Sequence, residues 1–187
     1  RPGRRGTGAM IIGAPNAPPA ARARSTVPSD PTGGIPSRKA GSPMTVADVK
    51  ARVQDILSRN FEVGLWGDRG FFVDQGSTRC FISVSGRGPE DPRVIVHVTS
   101  PIAFETPGSP ALFEHVALNT DSWLFGHLSL EPDDDVPGTY GVLFVHRLLG
   151  NTLDEDELTG VVAAVAVTAD DIDDDFVARF GGRRFRE

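Results

Sequence analysis

The sequence predicts an α+β fold, in which an antiparallel sheet of five to six strands packs with three helices. Apolar residues recur at helical spacing in three separate segments, and between these segments they alternate with polar residues as in strands. The turns between the predicted strands are short, which favours antiparallel neighbours over parallel crossovers. The expected element order is therefore α-β-β-β(-β)-α-β-β-α.

By composition, the chain of 187 residues divides into a tail, a domain and a second, short tail. Residues 1–43 are rich in Pro, Gly, Ala and Arg and contain no aromatic residue, so we expect them to be disordered. One hypothesis makes Met44 the natural first residue and the preceding segment not native; the alternative is a functional basic arm. Residues 44–182 form the expected domain, and residues 183–187 form a short basic tail.

Charge separates the tail from the domain. Residues 1–43 hold seven Lys or Arg and one Asp, whereas residues 44–187 hold twelve Lys or Arg and twenty-four Asp or Glu. Because a domain with this much negative charge repels phosphate groups, we expect it to bind neither nucleic acid nor an anionic membrane. The longest apolar runs, such as Val161–Val167, are too short to span a membrane. The first residues lack the arrangement of a secretion signal, so we do not expect secretion by that route. The single cysteine, Cys80, excludes an intrachain disulfide, and we expect a cytoplasmic protein.

The first predicted helix begins at a capping box of Thr45 and Asp48 and ends near Asn60. Its apolar face consists of Val46, Val49, Val53, Ile56 and Leu57. From Phe61 the period changes to two, and Gly-containing turns separate short alternating runs. These runs predict a meander with strands in 61–65, 71–73, 78–84 and 93–98.

The second predicted helix has Ser109 as its N-cap and Pro110 in its first position. Its apolar stripe consists of Leu112, Phe113, Val116 and Ala117. Strands are expected at 124–130 and 140–149, and the second of these should be central and covered on both faces because both of its phases are apolar. Asp154, with Glu157 in the box position, begins the last helix, and Gly181-Gly182 ends it.

The chain carries few signs of catalysis or cofactor binding. It has no phosphate-binding loop and no dinucleotide fingerprint, so we predict no cofactor. Cys80 alternates with Arg79, which places the arginine on the opposite face, and a buried structural cysteine is favoured over a nucleophile. Ser83 and Ser85 lie near no nucleophile elbow.

The histidines and acidic runs suggest metals only weakly. Of the four histidines, three lie in predicted strands, namely His97, His127 and His146, and His115 lies in a predicted helix. Those three would form a metal site only if they shared one face, and we favour ordinary strand histidines instead. The runs Asp133–Asp135 and Asp170–Asp175 lack calcium-loop spacing, so we interpret the second as a solvated helix face. We therefore predict no catalytic, cofactor-binding or metal residues.

Trp66 and Trp123 border predicted turns, where each is either a partner anchor or the edge of the core. The sequence does not distinguish these two interpretations. The partner-binding residues therefore stay unknown at this stage.

Several segments resemble a known family. They are Leu124–Leu130, Tyr140–Gly150, Leu153–Leu158, Ala169–Phe176 and Arg179–Gly182. Through them the chain, from Thr45 to Gly182, resembles YbjN-like proteins, bacterial relatives of type III secretion chaperones. The resemblance implies the same element order, a homodimer, no catalytic residues and a polypeptide client held at sheet edges and apolar grooves.

Three functions are carried forward from the sequence. The first is a non-enzymatic chaperone-like or adaptor module that binds a protein partner as a dimer. The second is a regulatory or small-ligand-sensing domain on the same scaffold. The third, least favoured, is an enzyme that uses Cys80 or the strand histidines.

Overall fold

A computed structural model of the chain describes residues 44–88 and 90–186. Within them it has three α-helices and one six-stranded antiparallel sheet, which confirms the predicted class. The elements are α1 (Val46–Asn60), β1 (Val63–Trp66), β2 (Gly70–Gln75), β3 (Thr78–Gly86), β4 (Val94–Pro107), α2 (Pro110–Leu118), β5 (His127–Pro132), β6 (Thr139–Leu149) and α3 (Glu155–Phe180). The prediction of a disordered basic segment over 1–43 lies outside the described residues.

The helices begin where the sequence predicts. The Thr45 hydroxyl accepts a hydrogen bond from the Asp48 N–H at 3.2 Å, and the Thr45 N–H donates to the Asp48 carboxylate at 2.9 Å. Ser109 and Asp154 each accept from the backbone N–H three residues on, at 3.2 and 2.7 Å. Such caps satisfy N–H groups that the first helical turn leaves without partners.

The strands lie in the order β1-β2-β3-β4-β6-β5, and every neighbouring pair is antiparallel. Helices α1 and α3 pack on one face of this sheet. The buried residues of α3 that contact it form a stripe of Leu158, Val161, Val162, Val165, Ala166, Ala169 and Phe176. Leu112 of α2 joins the same core, so within the described residues the other face of the sheet has no helix on it.

Strand β6 is central, as predicted, because it lies between β4 and β5. Its side chains Val142, Phe144 and Leu148 are buried toward the helices. On the alternate positions Leu143 is half-buried, Val145 is 8% exposed and Arg147 is exposed. The prediction that both faces are covered is therefore wrong, since the second apolar phase lines an open surface instead of a second core.

Two further predictions around α2 are wrong in detail. Only Leu112 of its predicted stripe is buried, and Phe113 stays exposed, because this short helix packs at the margin of the sheet against β5. The strand expected from Leu124 begins at His127, and the Leu124 side chain is 89% exposed. Gly126 in between has φ +82°, a left-handed conformation that interrupts extended chain.

Candidate functional site

A groove of about 560 Å³ lies on the face of the sheet that points away from the helices, which we call the open face. Strand register sets its floor, because Cα partners across β4 and β6 point their side chains to the same side. These partners are Pro101 with Leu143, Thr99 with Val145, and His97 with Arg147. The floor is thus apolar at one end and polar and cationic at the other.

Aromatic rings surround the apolar end of the groove. The Trp66 and Phe81 ring centroids are 4.7 Å apart, and those of Phe72 and Phe81 are 6.5 Å apart. Phe185, beyond the end of α3, meets Phe81 edge-to-face at 5.8 Å and lies 6.2 Å from Phe104. We call these five residues the aromatic cluster. Rings at these separations attract one another beyond the effect of buried area alone.

Arg79 holds the cluster on its outer side. Its guanidinium carbon lies 3.7 Å from the centre of the Phe72 ring and 5.9 Å from that of Phe185. Its Nε donates to the Asp74 carboxylate at 2.7 Å, and this bond is the main reason that the pKa of Asp74 is lowered. The cluster therefore combines apolar surface with a cation and a nearby carboxylate, which suits a ligand that is both aromatic and charged.

Ser85 and His97 form the arrangement in the groove that is most similar to a catalytic one. The Ser85 hydroxyl lies 2.9 Å from His97 Nε2. Burial, and then the charge of Arg147, lowers the pKa of His97. Among the described residues, no carboxylate is hydrogen-bonded to this ring. A serine nucleophile needs a histidine whose cationic form is stabilised, whereas this environment does the opposite.

The strand histidines do not share one face. His97 and His127 take positions on the open face, and His146 pairs with Val98 on the side of the helices. His146 Nδ1 accepts a hydrogen bond from the Gly126 N–H at 3.1 Å. In the described part of the chain, no group of three or more His, Cys, Asp or Glu side chains is placed to hold a metal ion.

Cys80 is a core residue, as the alternation predicts. Its side chain is fully buried, and burial raises the pKa of its thiol to about 12. A thiol with so high a pKa is not a nucleophile at neutral pH.

The acidic run Asp170–Asp175 is only partly a solvated face, so that interpretation is wrong for two of its residues. Asp173 is 2% exposed and Asp170 is half-buried. The Ser77 hydroxyl lies 2.8 Å from Asp170 Oδ1 and 2.6 Å from Asp173 Oδ2, and the Ser77 N–H donates to Asp170 at 2.6 Å. The two carboxylates face inward because they attach α3 to the β2–β3 turn. In the other run, Asp133 accepts from the N–H groups of its own turn.

Comparison with known families shows which family this fold represents. The model of one family, described as T3SS (YopN, CesT) and YbjN peptide-binding chaperone 1, matches residues 46–187. The chain belongs to the TY-Chap1 family. This confirms the resemblance to YbjN-like and type III secretion chaperone proteins. No curated protein is similar enough in sequence to count as a relative of this TY-Chap1 chain.

The open face of this TY-Chap1 domain contains four aromatic residues that the sequence argument did not single out as functional, namely Phe72, Phe81, Phe104 and Phe185. Trp66 lies in the aromatic cluster, whereas Trp123 packs edge-to-face on Phe144 at 5.1 Å and belongs to the core edge. Phe71-Phe72 was the available signal, since two adjacent aromatic residues in a strand make both of its faces apolar.

Among the described residues, no helix is long and apolar enough to cross a membrane.

Proposed function

We propose that this TY-Chap1 domain is a non-enzymatic, cytoplasmic chaperone or adaptor that binds an extended segment of a protein client on its open face. The groove of about 560 Å³ carries this proposal, because its apolar end lies open on a sheet face that no described helix covers. Its size is in the range of sites that hold small ligands or a few peptide side chains.

The edge of the sheet beside the groove supports a way of holding the client backbone. Strand β5 is the last strand of the sheet, and its residues Ser129 and Glu131 line the groove. A peptide that adds to β5 would satisfy the backbone groups of that edge, while its alternate side chains enter the groove. Backbone pairing gives affinity without regard to sequence, and the groove then selects side chains.

A homodimer is part of the proposal. Exposed apolar side chains on α2 and in the loop after it support it, since Leu118 is 70% and Leu124 is 89% exposed. Such side chains are typical of contact surfaces when they occur close together. Light scattering on the wild type and on a Leu118→Ser, Leu124→Ser variant tests the dimer and this surface together. A wild-type monomer would contradict the dimer without affecting peptide binding.

A charge placed in the groove tests the proposed function. Leu143 lies half-buried on the open face, and Leu143→Glu would put a carboxylate where a client side chain is expected. Val167→Glu on the outer side of α3, 44% exposed, is the matched control. We expect Leu143→Glu to weaken the binding of a fluorescent library of extended peptides, about 12 residues and roughly 40 Å long, at least tenfold.

The control should bind the library as the wild type does, and both variants should show wild-type circular dichroism. If no library peptide binds the wild type, or if Leu143→Glu binds as well as Val167→Glu, the proposed function is wrong.

The alternative of a small-ligand-sensing domain has one observation in its favour. A cavity of about 200 Å³ lies between α2 and α3, beside His115, Asn119 and Arg179. This volume is below the usual range for ligand sites, so it would admit only a small molecule. A small-molecule screen by melting temperature, with an Arg179→Ala variant, discriminates the two functions. A compound that stabilises the wild type but not the variant would favour sensing.

A further inference from the structure

The segment that follows α3 turns back onto the open face. Gly181 and Gly182 have φ of +78° and +92°, left-handed conformations that reverse the chain at the end of the helix. Arg183 then pairs with Phe104 of β4 as an antiparallel bridge, with N–H to carbonyl distances of 2.8 and 2.9 Å. Arg183 is therefore the residue through which the segment Arg183–Arg186 pairs with the sheet backbone. We call Arg183–Arg186 the post-helix segment.

The unequal lengths of β3 and β4 make this pairing available. Strand β4 runs to Pro107, whereas the register of Phe81 with Thr99 places the β2–β3 turn, at Gly76, level with Phe104. The β3 side of β4 is therefore open at Phe104, while its β6 side is paired again from Thr106. The backbone groups of Phe104 on this open side pair with Arg183, in the way that a sheet edge pairs with a peptide.

Phe185 enters the apolar end of the groove. Its ring is one of the walls of the cavity, in contact with Phe81 and Phe104 and below the Arg79 guanidinium. The other members of the aromatic cluster come from the strands β1 to β4 of the sheet itself. Phe185 thus lies where an aromatic side chain of a bound peptide would lie.

Acidic side chains accept the arginines on either side of Phe185. Arg183 Nε donates to Glu105 at 2.8 Å. Arg184 pairs with Asp174, and Arg186 pairs with Asp74 and also donates to the Gly76 carbonyl oxygen at 3.5 Å. The carboxylates of Asp74 and Glu105 on the sheet, and of Asp174 on α3, therefore complement a segment in which an aromatic residue lies between cations.

These contacts hold the segment weakly. The three ion pairs have side chains that are 34% to 75% exposed, and exposed pairs contribute about 0–1 kcal/mol each. Ordering the four residues costs about 1–2 kcal/mol each in backbone entropy, which offsets most of what the ring and the pairs contribute. A segment in such balance can be displaced by a ligand of the same chemistry.

We propose that the post-helix segment is a built-in occupant of the client site, and that client segments with an aromatic residue flanked by Arg or Lys bind by displacing it. This inference rests on the proposed function, and it adds to it the chemistry of the client and a competitor within the chain. The observation that carries it is the docking of Phe185 into the aromatic cluster with its flanking arginines on Asp74, Glu105 and Asp174.

Removal of the Phe185 ring gives the first test. The probe is a fluorescein-labelled peptide of sequence Gly-Gly-Arg-Arg-Phe-Arg-Glu, and its anisotropy is followed with the full chain. If the segment occupies the site in about nine molecules of ten, Phe185→Ala should bind the probe roughly tenfold more tightly than the wild type. Phe113→Ala is the control, because it removes a phenyl ring from α2, outside the groove. It should bind the probe as the wild type does.

The same peptide with Phe replaced by Ala, or with its three Arg replaced by Glu, should bind Phe185→Ala at least tenfold more weakly than the probe. Equal probe affinity of Phe185→Ala and the wild type would overturn the inference. Equal affinity of the three peptides would overturn the client chemistry.

A reversible lock gives a second test that does not depend on Phe185. Hydrogen-bonded antiparallel partners lie about 5.5 Å apart at Cα, within the range that a disulfide bridges. A Phe104→Cys, Arg183→Cys variant should therefore hold the post-helix segment in place when oxidised and release it when reduced, while the buried Cys80 does not react. Reduction should tighten probe binding roughly tenfold, and unchanged binding would contradict the inference.

The two proposals can fail separately. If Phe185→Ala does not bind the probe but the peptide library binds the wild type in a manner sensitive to Leu143→Glu, the inference is wrong and the proposed function stands. If neither the probe nor the library binds any variant, the proposed function itself is wrong.

Discussion

The bond between Ser77 and the inward carboxylates of α3 gives a stability prediction whose size follows from the structure. Ser77→Ala removes a hydroxyl that lies 2.6 Å from Asp173 Oδ2 and 2.8 Å from Asp170 Oδ1. A hydroxyl has one proton, so the two distances represent one hydrogen bond shared between two acceptors. Hydrogen bonds to charged groups contribute about 1.5–3 kcal/mol, and a buried carboxylate without its donor is a further cost.

We therefore expect Ser77→Ala to lower the free energy of unfolding by about 2 kcal/mol. With a urea m-value of about 2 kcal/mol/M for a domain of this size, the midpoint should fall by about 1 M. Ser122→Ala is the matched control, because the Ser122 hydroxyl donates to Asn119 at 3.1 Å in an exposed turn. Its loss should change the free energy of unfolding by less than about 0.5 kcal/mol.

A double-mutant cycle with Asp173→Asn identifies the partner. If the hydroxyl acts through Asp173, the loss caused by Ser77→Ala should shrink in the Asp173→Asn background, where the acceptor is no longer charged. A midpoint unchanged in Ser77→Ala would refute the assignment of Asp173 as a buried acceptor, and so would equal losses in both backgrounds.

Two further predictions concern titration. Cys80, whose thiol pKa is raised to about 12, should stay unlabelled by a thiol reagent at about pH 8 in the native protein and label fully in urea; stoichiometric native labelling would contradict its burial. Burial is the main reason that the pKa values of three histidines are lowered, namely His97, His115 and His146. As the pH falls below the histidine pKa of the unfolded chain, about 6.5, the unfolded chain therefore binds more protons than the native protein does. Stability should therefore be greater at about pH 7.5 than at about pH 5.5, and this loss should be smaller in His146→Gln, whose amide oxygen can still accept from the Gly126 N–H. Asp74 and Asp91 have lowered pKa values too, but their contributions are lost only at lower pH; equal stability at the two pH values would contradict the assignment to histidine.

Local chemistry made much of the fold predictable. The caps at Thr45 and Ser109 involve residues three apart, and so a single short window contains all the groups that form the bond. The buried apolar stripe of α3 could be predicted in the same way, because a long helix that packs against a sheet repeats its buried positions at helical spacing. Class and element order follow from such windows.

The remaining features depend on partners that are distant in the chain. Asp173 belongs to a polar run by composition, and only the β2–β3 turn, through Ser77, makes it a buried residue. Composition likewise describes residues 183–187 as a short basic tail, whereas the contacts of Phe185 come from β3 and β4. The apolar residues at alternate positions of β6 show the same sequence pattern whether they pack under a second layer of helices or line an open groove. No window of sequence distinguishes these cases.

The length of β4, which runs past the end of β3, has a consequence for valency. A sheet usually offers its backbone to another chain along two lines, the outer sides of its first and last strands. Here the part of β4 around Phe104, which runs beyond the end of β3, adds a third line, and the post-helix segment occupies it. One extended chain that displaces this segment could pair there and at β5, and the second contact would then form at the high effective concentration that tethering provides. Two weak attachments of this kind would together hold a client far more firmly than either does alone, and each could release without the other.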